Sequence, residues 1–543
     1  MKKKVIGIVV FLLIIGLIIP RIISTDTNQS VVAYDSNEEE GCGCETQQDI
    51  SFDFTLLYRS SLDDPEGNFS KPEVTHALPP SFNWMDIDGV DWTTPAKDQG
   101  NCGSCWDFAA MGGLESIIQI REGCPNLSLD LSEQYILSCL HYAGSCNGGW
   151  AYNAYRYIKL NSSSGNYCNG IIPEFCFPYE VSDDIPCSNA SSDWEEFLIP
   201  ISSYGRWTPD GSTQDRDAMK TQIMDLGPIV ATMLFTYSAH GPDNLEDWGY
   251  THTSPTDYYP YPGPIQGTNH QVVLVGWNDD DAIPNGGYWI VKNSISGEWG
   301  YNGFFNIEYG SLNIDNTDIN WVDYDPENFS NWPPVARINL STQTQTSFDG
   351  SGSFDHEGTI VSYDWEFGDG ASGTGVTTTH TYESPGVYQA SFTVTDNASN
   401  TDTETAWVFI DTENHAPRKP WLLGRRTGQN DTTYGYTFWA TDPDGDDVYY
   451  YLNWGNTYWA GGAVGWIGPY KSGERITLEK NWSDKGNYTI RVKASDQFHA
   501  KSSWATLDVT MPVSYSSQVL RFFAYLFERF PHGVPFLRHL LGQ

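Results

Sequence analysis

Basic residues are scarce in this chain. Only 29 Lys and Arg stand against 69 Asp and Glu in 543 residues, a formal net charge of −40. Nucleic acid is held by clustered Lys and Arg, and no such stripe occurs, so nucleic acid is excluded as a partner. Long apolar runs are nearly absent too. The one at Val5–Ile19 is shorter than the roughly 20 residues of a comfortable membrane-spanning helix. Cysteine is missing after Cys187, which leaves the later part of the chain to be held by packing alone. Cys42-Gly-Cys44 has no partner pair at finger spacing, so neither a metal nor a cofactor is expected.

What is present begins with Lys2–Lys4 ahead of the apolar run, the pattern of an export signal. Residues 1–23 read as a signal peptide or a membrane anchor, and Val31-Val32-Ala33 is a distant cleavage site. If the segment stays, the positive-inside rule keeps the lysines in the cytoplasm. Either way the rest of the chain is placed outside, secreted or at the cell surface. Ten cysteines between Cys42 and Cys187 then read as disulfides plus one functional thiol. Sequons such as those at Asn68, Asn126, Asn189 and Asn481 are compatible with surface glycosylation.

Composition divides the chain further. Residues 24–77 are polar and acidic, a linker or short pro-segment. Residues 78–332 mix helical and strand patterns, as in an α+β domain. After Asn331-Trp-Pro-Pro334 come short β-rich runs separated by Gly, Asp and Ser, which predict two all-β sandwiches at 333–412 and 413–512. Their second halves run alike, Phe392-Thr-Val-Thr-Asp396 against Ile490-Arg-Val-Lys-Ala-Ser-Asp496, and read as diverged repeats. Residues 513–543 form a basic, amphipathic tail. It suits an anionic membrane, a partner's groove or the flank of the adjacent sandwich.

The chemistry lies in four ordered motifs: QGNCGSCWDF at 99–108, SCNGGW at 145–150, NHQVVLVGW at 269–277 and VKNSISGEWG at 291–300. Together they resemble the papain family of cysteine proteases over about residues 78–312. A thiol just inside a helix N-terminus, beside an imidazolium, has its pKa lowered toward the nucleophilic thiolate. The resemblance makes Cys105 the nucleophile, His270 its proton partner and Asn293 the amide that orients the ring. It also gives Gln99 and the Cys105 N–H to the oxyanion hole. Gly148 and Gly149 would pair with a peptide's backbone, and Trp150, Ala151 and Thr232 would line a neighbouring pocket. Cys102–Cys146 and Cys139–Cys187 are the implied disulfides. The pairing of Cys124, Cys168 and Cys176, and of Cys42 and Cys44, stays open.

Some features depart from the family. His270 lies 165 residues after Cys105, beyond the usual roughly 130 to 150, which points to insertions at Tyr237–Gly267 and Asp279–Gly287. Ile295 replaces a tryptophan that shields the Asn–His contact, so weaker shielding is expected. Asp107 takes a small-residue position, with its carboxylate expected to point away from Cys105.

Tyr363-Asp-Trp-Glu-Phe-Gly-Asp-Gly370 with His380-Thr-Tyr382 resembles the PKD-type repeat, an Ig-like sandwich. Asp442–Asp447 reads as an acidic turn, with Ca²⁺ as the rival reading. The expectation is a multidomain exported endopeptidase acting on proteins or peptides: an α+β papain-like domain followed by two Ig-like β-sandwiches. Both termini are candidates for membrane contact. The sandwiches would space the enzyme or bind a cell-surface or polymer ligand, and a chain ending near Asn331 would keep small-peptide activity. The alternatives are an inactive protease-like surface-binding protein and an exopeptidase restricted by an inserted loop.

Overall fold

The computed structural model describes residues 71–511, apart from 160–169, 456–462 and several stretches of five residues or fewer. The expectations for residues 1–23, for most of 24–77, for the tail, and for Cys42, Cys44 and Cys168 lie outside the described residues. Among the described residues no helix is long and apolar enough to cross a membrane.

The first part of the chain runs β1 (Ser81–Asn83), α1 (Cys105–Glu122), α2 (Glu133–Cys139), β2 (Gly144–Ser145), β3 (Gly148–Gly149) and α3 (Ala151–Lys159). It continues through β4 (Ser203–Trp207), α4 (Thr213–Asp225), β5 (Ile229–Met233), α5 (Leu245–Gly249) and β6 (Tyr258–Tyr259), then β7 (His270–Asp279), β8 (Gly287–Lys292), β9 (Phe304–Glu308) and β10 (Ile319–Asp323). One sheet joins seven of these strands in the order β4-β10-β5-β7-β8-β9-β6, with β1 added on β7. Strand β7 is buried from His270 to Trp277, as a central strand covered on both faces must be.

Local chemistry sets the helix ends. Helix α1 stops at Gly123, whose left-handed φ of 65° lets its N–H turn back to the Ile120 carbonyl. Ser132 starts α2, with Oγ accepting the Tyr135 N–H at 3.0 Å. One core, on the α1 face of the sheet, holds Trp106, Met111, Leu114, Ile117 and Tyr155. The other face carries a second core with Trp277, Trp289, Trp299, Phe305 and Phe235.

Two sandwiches follow. The first sets β11 (Asn339–Ser341), β12 (Thr346–Asp349) and β15 (Thr377–His380) against β13 (Ile360–Glu366), β14 (Ser372–Thr374), β16 (Gly386–Asp396) and β17 (Thr401–Ile410). Its core is Phe348, Trp365, Phe367 and Phe392. The second sets β18 (Trp421–Leu423), β19 (Thr433–Trp439) and β22 (Ile476–Asn481) against β20 (Val448–Asn453), β21 (Ala463–Tyr470), β23 (Gly486–Asp496) and β24 (Ala505–Met511). Strand alternation sends Val448, Tyr450 and Leu452 of β20 into its core, with Ile490, Val492 and Ala494 of β23. In both, the sequence pattern reads as the structure does: apolar residues at every second place and turns between.

The Tyr237–Gly267 insertion is more than a loop, since it carries α5 and β6. Trp299 lies flat against Gly249, and a Cβ there would sit 2.0 Å from Trp299 Cε2. Gly249→Ala should therefore cost about 1–3 kcal/mol by overpacking. A fall of several degrees in the thermal midpoint checks this; an unchanged midpoint would mean that the ring yields freely.

Candidate active site

Four segments meet at the site. The Asp98–Gln99 stretch runs beside the loop after β8, where Gln99 N–H donates to the Ser294 carbonyl at 3.0 Å. Helix α1 starts at Cys105, strand β7 starts at His270, and Asn293 follows the end of β8. The His270 ring meets Asn293 through Nε2 and Oδ1 at 2.8 Å. An amide oxygen accepts only, so this contact assigns the proton to Nε2 and leaves Nδ1 as the basic nitrogen. The Cys105 thiol lies beside the Gln271 backbone N–H and the first amides of its own helix.

Burial at the site is nearly complete. Cys105 is 6% exposed, His270 2% and Asn293 4%. Desolvation pushes the thiol up to about 12 and the imidazole down to about 4, the latter against the bond from Asn293. The lowered thiol pKa expected from the helix N-terminus is thus overridden by burial for each group taken alone. The weaker shielding expected from Ile295 also needs correcting. Ile295 is itself buried, the Phe235 ring stands 5.1 Å from the His270 ring, and Trp299 backs Phe235 at 6.1 Å. The Phe235 ring, from another segment and backed by Trp299, thus stands over the histidine side of the contact.

Gln99 is fixed on both sides of its amide. Its Nε2 donates to the Cys102 carbonyl at 2.9 Å, and its Oε1 accepts from Ser294 Oγ at 2.6 Å. Tyr179 holds the same residue by its backbone, donating to the Gln99 carbonyl at 2.8 Å. Ser294, Tyr179 and Gln271 were not singled out from the sequence; Ser294 and Gln271 directly follow Asn293 and His270 in the motifs, whereas nothing local marks Tyr179 and only the fold brings it to Gln99.

The residues assigned to substrate binding separate into two groups. Gly148 and Trp150 are exposed beside the short β2–β3 hairpin. Gly149 packs so tightly that a Cβ would meet the Trp106 ring at 2.5 Å. Ala151 and Thr232 are instead buried on either side of Gln271. Its Oε1 accepts the Ala151 N–H at 2.9 Å, and its Nε2 donates to Thr232 Oγ1 at 2.9 Å. The Thr232 hydroxyl therefore serves Gln271 rather than an open pocket. Disulfides join Cys102 to Cys146 and Cys139 to Cys187.

Beneath the site is a buried charge cluster. Lys97 Nζ lies 2.8 Å from Glu115, 2.5 Å from Asp130 and 3.0 Å from Glu133. Burial works against Glu115, yet Lys97 and Lys292 hold its pKa down. Asp107, next to this cluster, is wholly buried with neither oxygen hydrogen-bonded. Desolvation and then Glu133 raise it well above the carboxylate range. In the second sandwich, Asp442, Asp444 and Asp446 bring carboxylate oxygens within 4.8 Å of one another. There Asp442 Oδ1 accepts the N–H groups of Asp444 and Asp446, the geometry of an acidic turn.

A thiol at a helix N-terminus, an imidazole and an amide at the mouth of a mixed sheet define the class as that of thiol proteases. The comparisons agree: residues 78–320 match the family described as papain family cysteine protease, and residues 331–410 match the PKD domain. Cysteine proteinase 1 of Entamoeba histolytica is 31% identical over 257 residues, 46% of this chain and 71% of that protein. A viral cathepsin of Heliothis zea nuclear polyhedrosis virus is 30% identical over 230 residues, 42% of this chain and 52% of its own length. The PKD domain of an M14-like peptidase from a Thermoplasmatales archaeon is 46% identical, covering 19% of this chain and all of that one, with a TM-score of 0.18. The chain belongs to the papain family of cysteine proteases. It spans about half the length of the first curated relatives it matches.

Asp107 generates a prediction. A buried acid whose folded pKa is raised loses stability as pH climbs from its unfolded value near 4 toward the folded one. Asp107→Ala should therefore stabilise the protein at pH 7, by about 1–3 kcal/mol for an unsatisfied buried carboxyl. The gain should vanish near pH 4. Thermal melts across pH check this; a destabilised variant at pH 7 would mean that Asp107 has a supporting role.

Proposed function

We propose that this chain is an exported thiol endopeptidase that hydrolyses peptide bonds in proteins or peptides through Cys105, His270, Asn293 and Gln99. The observation that carries the reading is the 2.8 Å contact from His270 Nε2 to Asn293 Oδ1 at the mouth of α1. It fixes the ring so that Nδ1 can take the thiol proton. The thiolate then adds to the substrate carbonyl. The second N–H of the Gln99 amide and the Cys105 backbone N–H receive the oxyanion, and the imidazolium returns its proton to the leaving amine. Water reverses these steps on the acyl-enzyme.

The burial of both groups shapes this chemistry. Neither charge is favourable alone, but a thiolate and an imidazolium formed together offset each other's desolvation. The pair titrates as a unit, and the helix N-terminus favours the anionic member. Exposed Gly148 fits an edge along which a peptide backbone lies. Export is supported by the lysine-led apolar start and by two disulfides, which persist in oxidising surroundings. PKD domains are typical of extracellular proteins.

Replacing Cys105 with Ala should abolish hydrolysis while leaving the circular-dichroism spectrum unchanged; near wild-type turnover in the folded variant would overturn the assignment. The wild type should show a bell-shaped kcat/KM against pH. Activity rises as the thiol proton is lost to form the pair and falls as the imidazolium deprotonates. A steady rise into alkaline pH would instead indicate an ordinary thiol.

A further inference from the structure

In a sandwich whose sheet faces water on one side, the residues between the core positions are solvated. The β20–β23 sheet breaks this rule. Tyr451 and Asn453 lie between the core residues of β20, yet both are 0% exposed, and Arg491 of β23 is 5% exposed. None of them packs in the sandwich's own core. They are covered by the N-terminal part of the chain.

The covering residues belong to the elements that carry the active site. Asn453 Nδ2 donates to Tyr250 Oη at 2.8 Å. Arg491 pairs with Asp247 of α5 and stacks over the Tyr250 ring at 4.7 Å. Lys493 and Lys501 both bind Glu298, five residues after Asn293. Trp504 meets the Tyr250 and Tyr451 rings at 5.6 and 5.8 Å, and packs on the second core of the N-terminal domain. The Tyr451 hydroxyl is buried beside the Asp98 carboxyl, Ser296 and Tyr250, although aligned for a hydrogen bond with none of them. Asp98 directly precedes Gln99, and Asp98 and Ile295 are bridged through their backbones.

We propose that the second sandwich is a brace of the active site, with Tyr451 as the positioning residue that holds the Asp98–Gln99 segment against the Asn293–Trp299 loop and Trp504 backing its ring. This departs from the expectation that both sandwiches only space or bind, and that a chain ending near Asn331 would keep its activity. The inference rests on the reading of Gln99 as an oxyanion donor. Gln99 is aimed by its neighbours. One side of its segment is held by Ser294 and Tyr179, and the other side, at Asp98, is closed by Tyr451, about 350 positions later. The apolar contacts of Tyr451 with Trp504 exclude water from that side.

The test uses the full chain and a fluorogenic peptide chosen from a cleavage library. Tyr451→Ala removes a side chain outside either sandwich core, so the second sandwich keeps its fold. Its kcat should fall about tenfold with KM changed less than twofold, while Tyr451→Phe, which keeps the ring, should retain at least half the wild-type kcat. In a Gln99→Ala background the Tyr451→Ala loss should shrink below twofold, because both act through one donor. An equal loss in both backgrounds, or an unchanged kcat, would overturn the brace. If Gln99→Ala leaves kcat intact, the oxyanion assignment fails, and the Ala-against-Phe comparison decides the brace alone. Should Tyr451→Ala misfold, Trp504→Ala, which removes the ring that backs Tyr451, with Trp504→Phe as its rescue gives the same reading. Loss by Ala without recovery by Phe would count against the proposal.

Discussion

One half-buried ammonium, Lys97, organises the catalytic half of the chain. Lys97 has Glu115 of α1, Glu133 of α2 and Asp130 within ion-pair distance, and its Nζ also donates to the Leu131 carbonyl at 2.9 Å. Its own carbonyl accepts the Ser296 N–H at 3.2 Å. The segment carrying Gln99, the helix carrying Cys105 and the loop following Asn293 are therefore referred to one point. Charges this deep are costly to desolvate, and removing one partner of such a group commonly costs about 3–5 kcal/mol because the other is left uncompensated. The cluster resists piecemeal change, which suits a site where small displacements matter.

The chemistry was legible because it sits in short contiguous motifs. Gln99 with Cys105, His270, and Asn293 stand in three recognisable local strings, and the fold brings all three to one place. The sandwiches were legible for a different reason, since alternation along β20 and β23 writes the core directly into the sequence. What could not be read is what depends on long-range burial. The helix N-terminus beside Cys105 promised a lowered pKa, and only the packed structure shows how strongly desolvation opposes it. Ile295 suggested an open Asn–His contact, whereas Phe235 arrives from a distant segment to close it, backed by Trp299 of the same loop.

The outer faces of the second sandwich were misleading in a related way. Tyr, Asn, Arg and Lys between core positions normally mean solvent, and a single sequence offers no sign that another domain will cover them. One hint was available: Arg491 and Lys493 are two cations on the same strand face in a strongly acidic protein. Their partners, Asp247 in the insertion and Glu298 after the catalytic loop, are separated from them by about two hundred residues. The Tyr237–Gly267 segment also seats the sandwich, through Asp247 and Tyr250.

The first sandwich touches both of its neighbours as well. His356 meets Glu122 at the end of α1 at 3.0 Å, and Phe498 of the second sandwich packs on Trp407 and Phe409 at 5.0 and 5.2 Å. With the second sandwich returning to the first domain, the three bodies close a ring of pairwise contacts. A ring has a kinetic property that an open string of domains lacks. When one joint opens, the other two keep the separated surfaces at high effective concentration, so reclosure is intramolecular and fast. Transient exposure at any one joint is therefore brief, which limits the time for which an opened surface is accessible to cleavage.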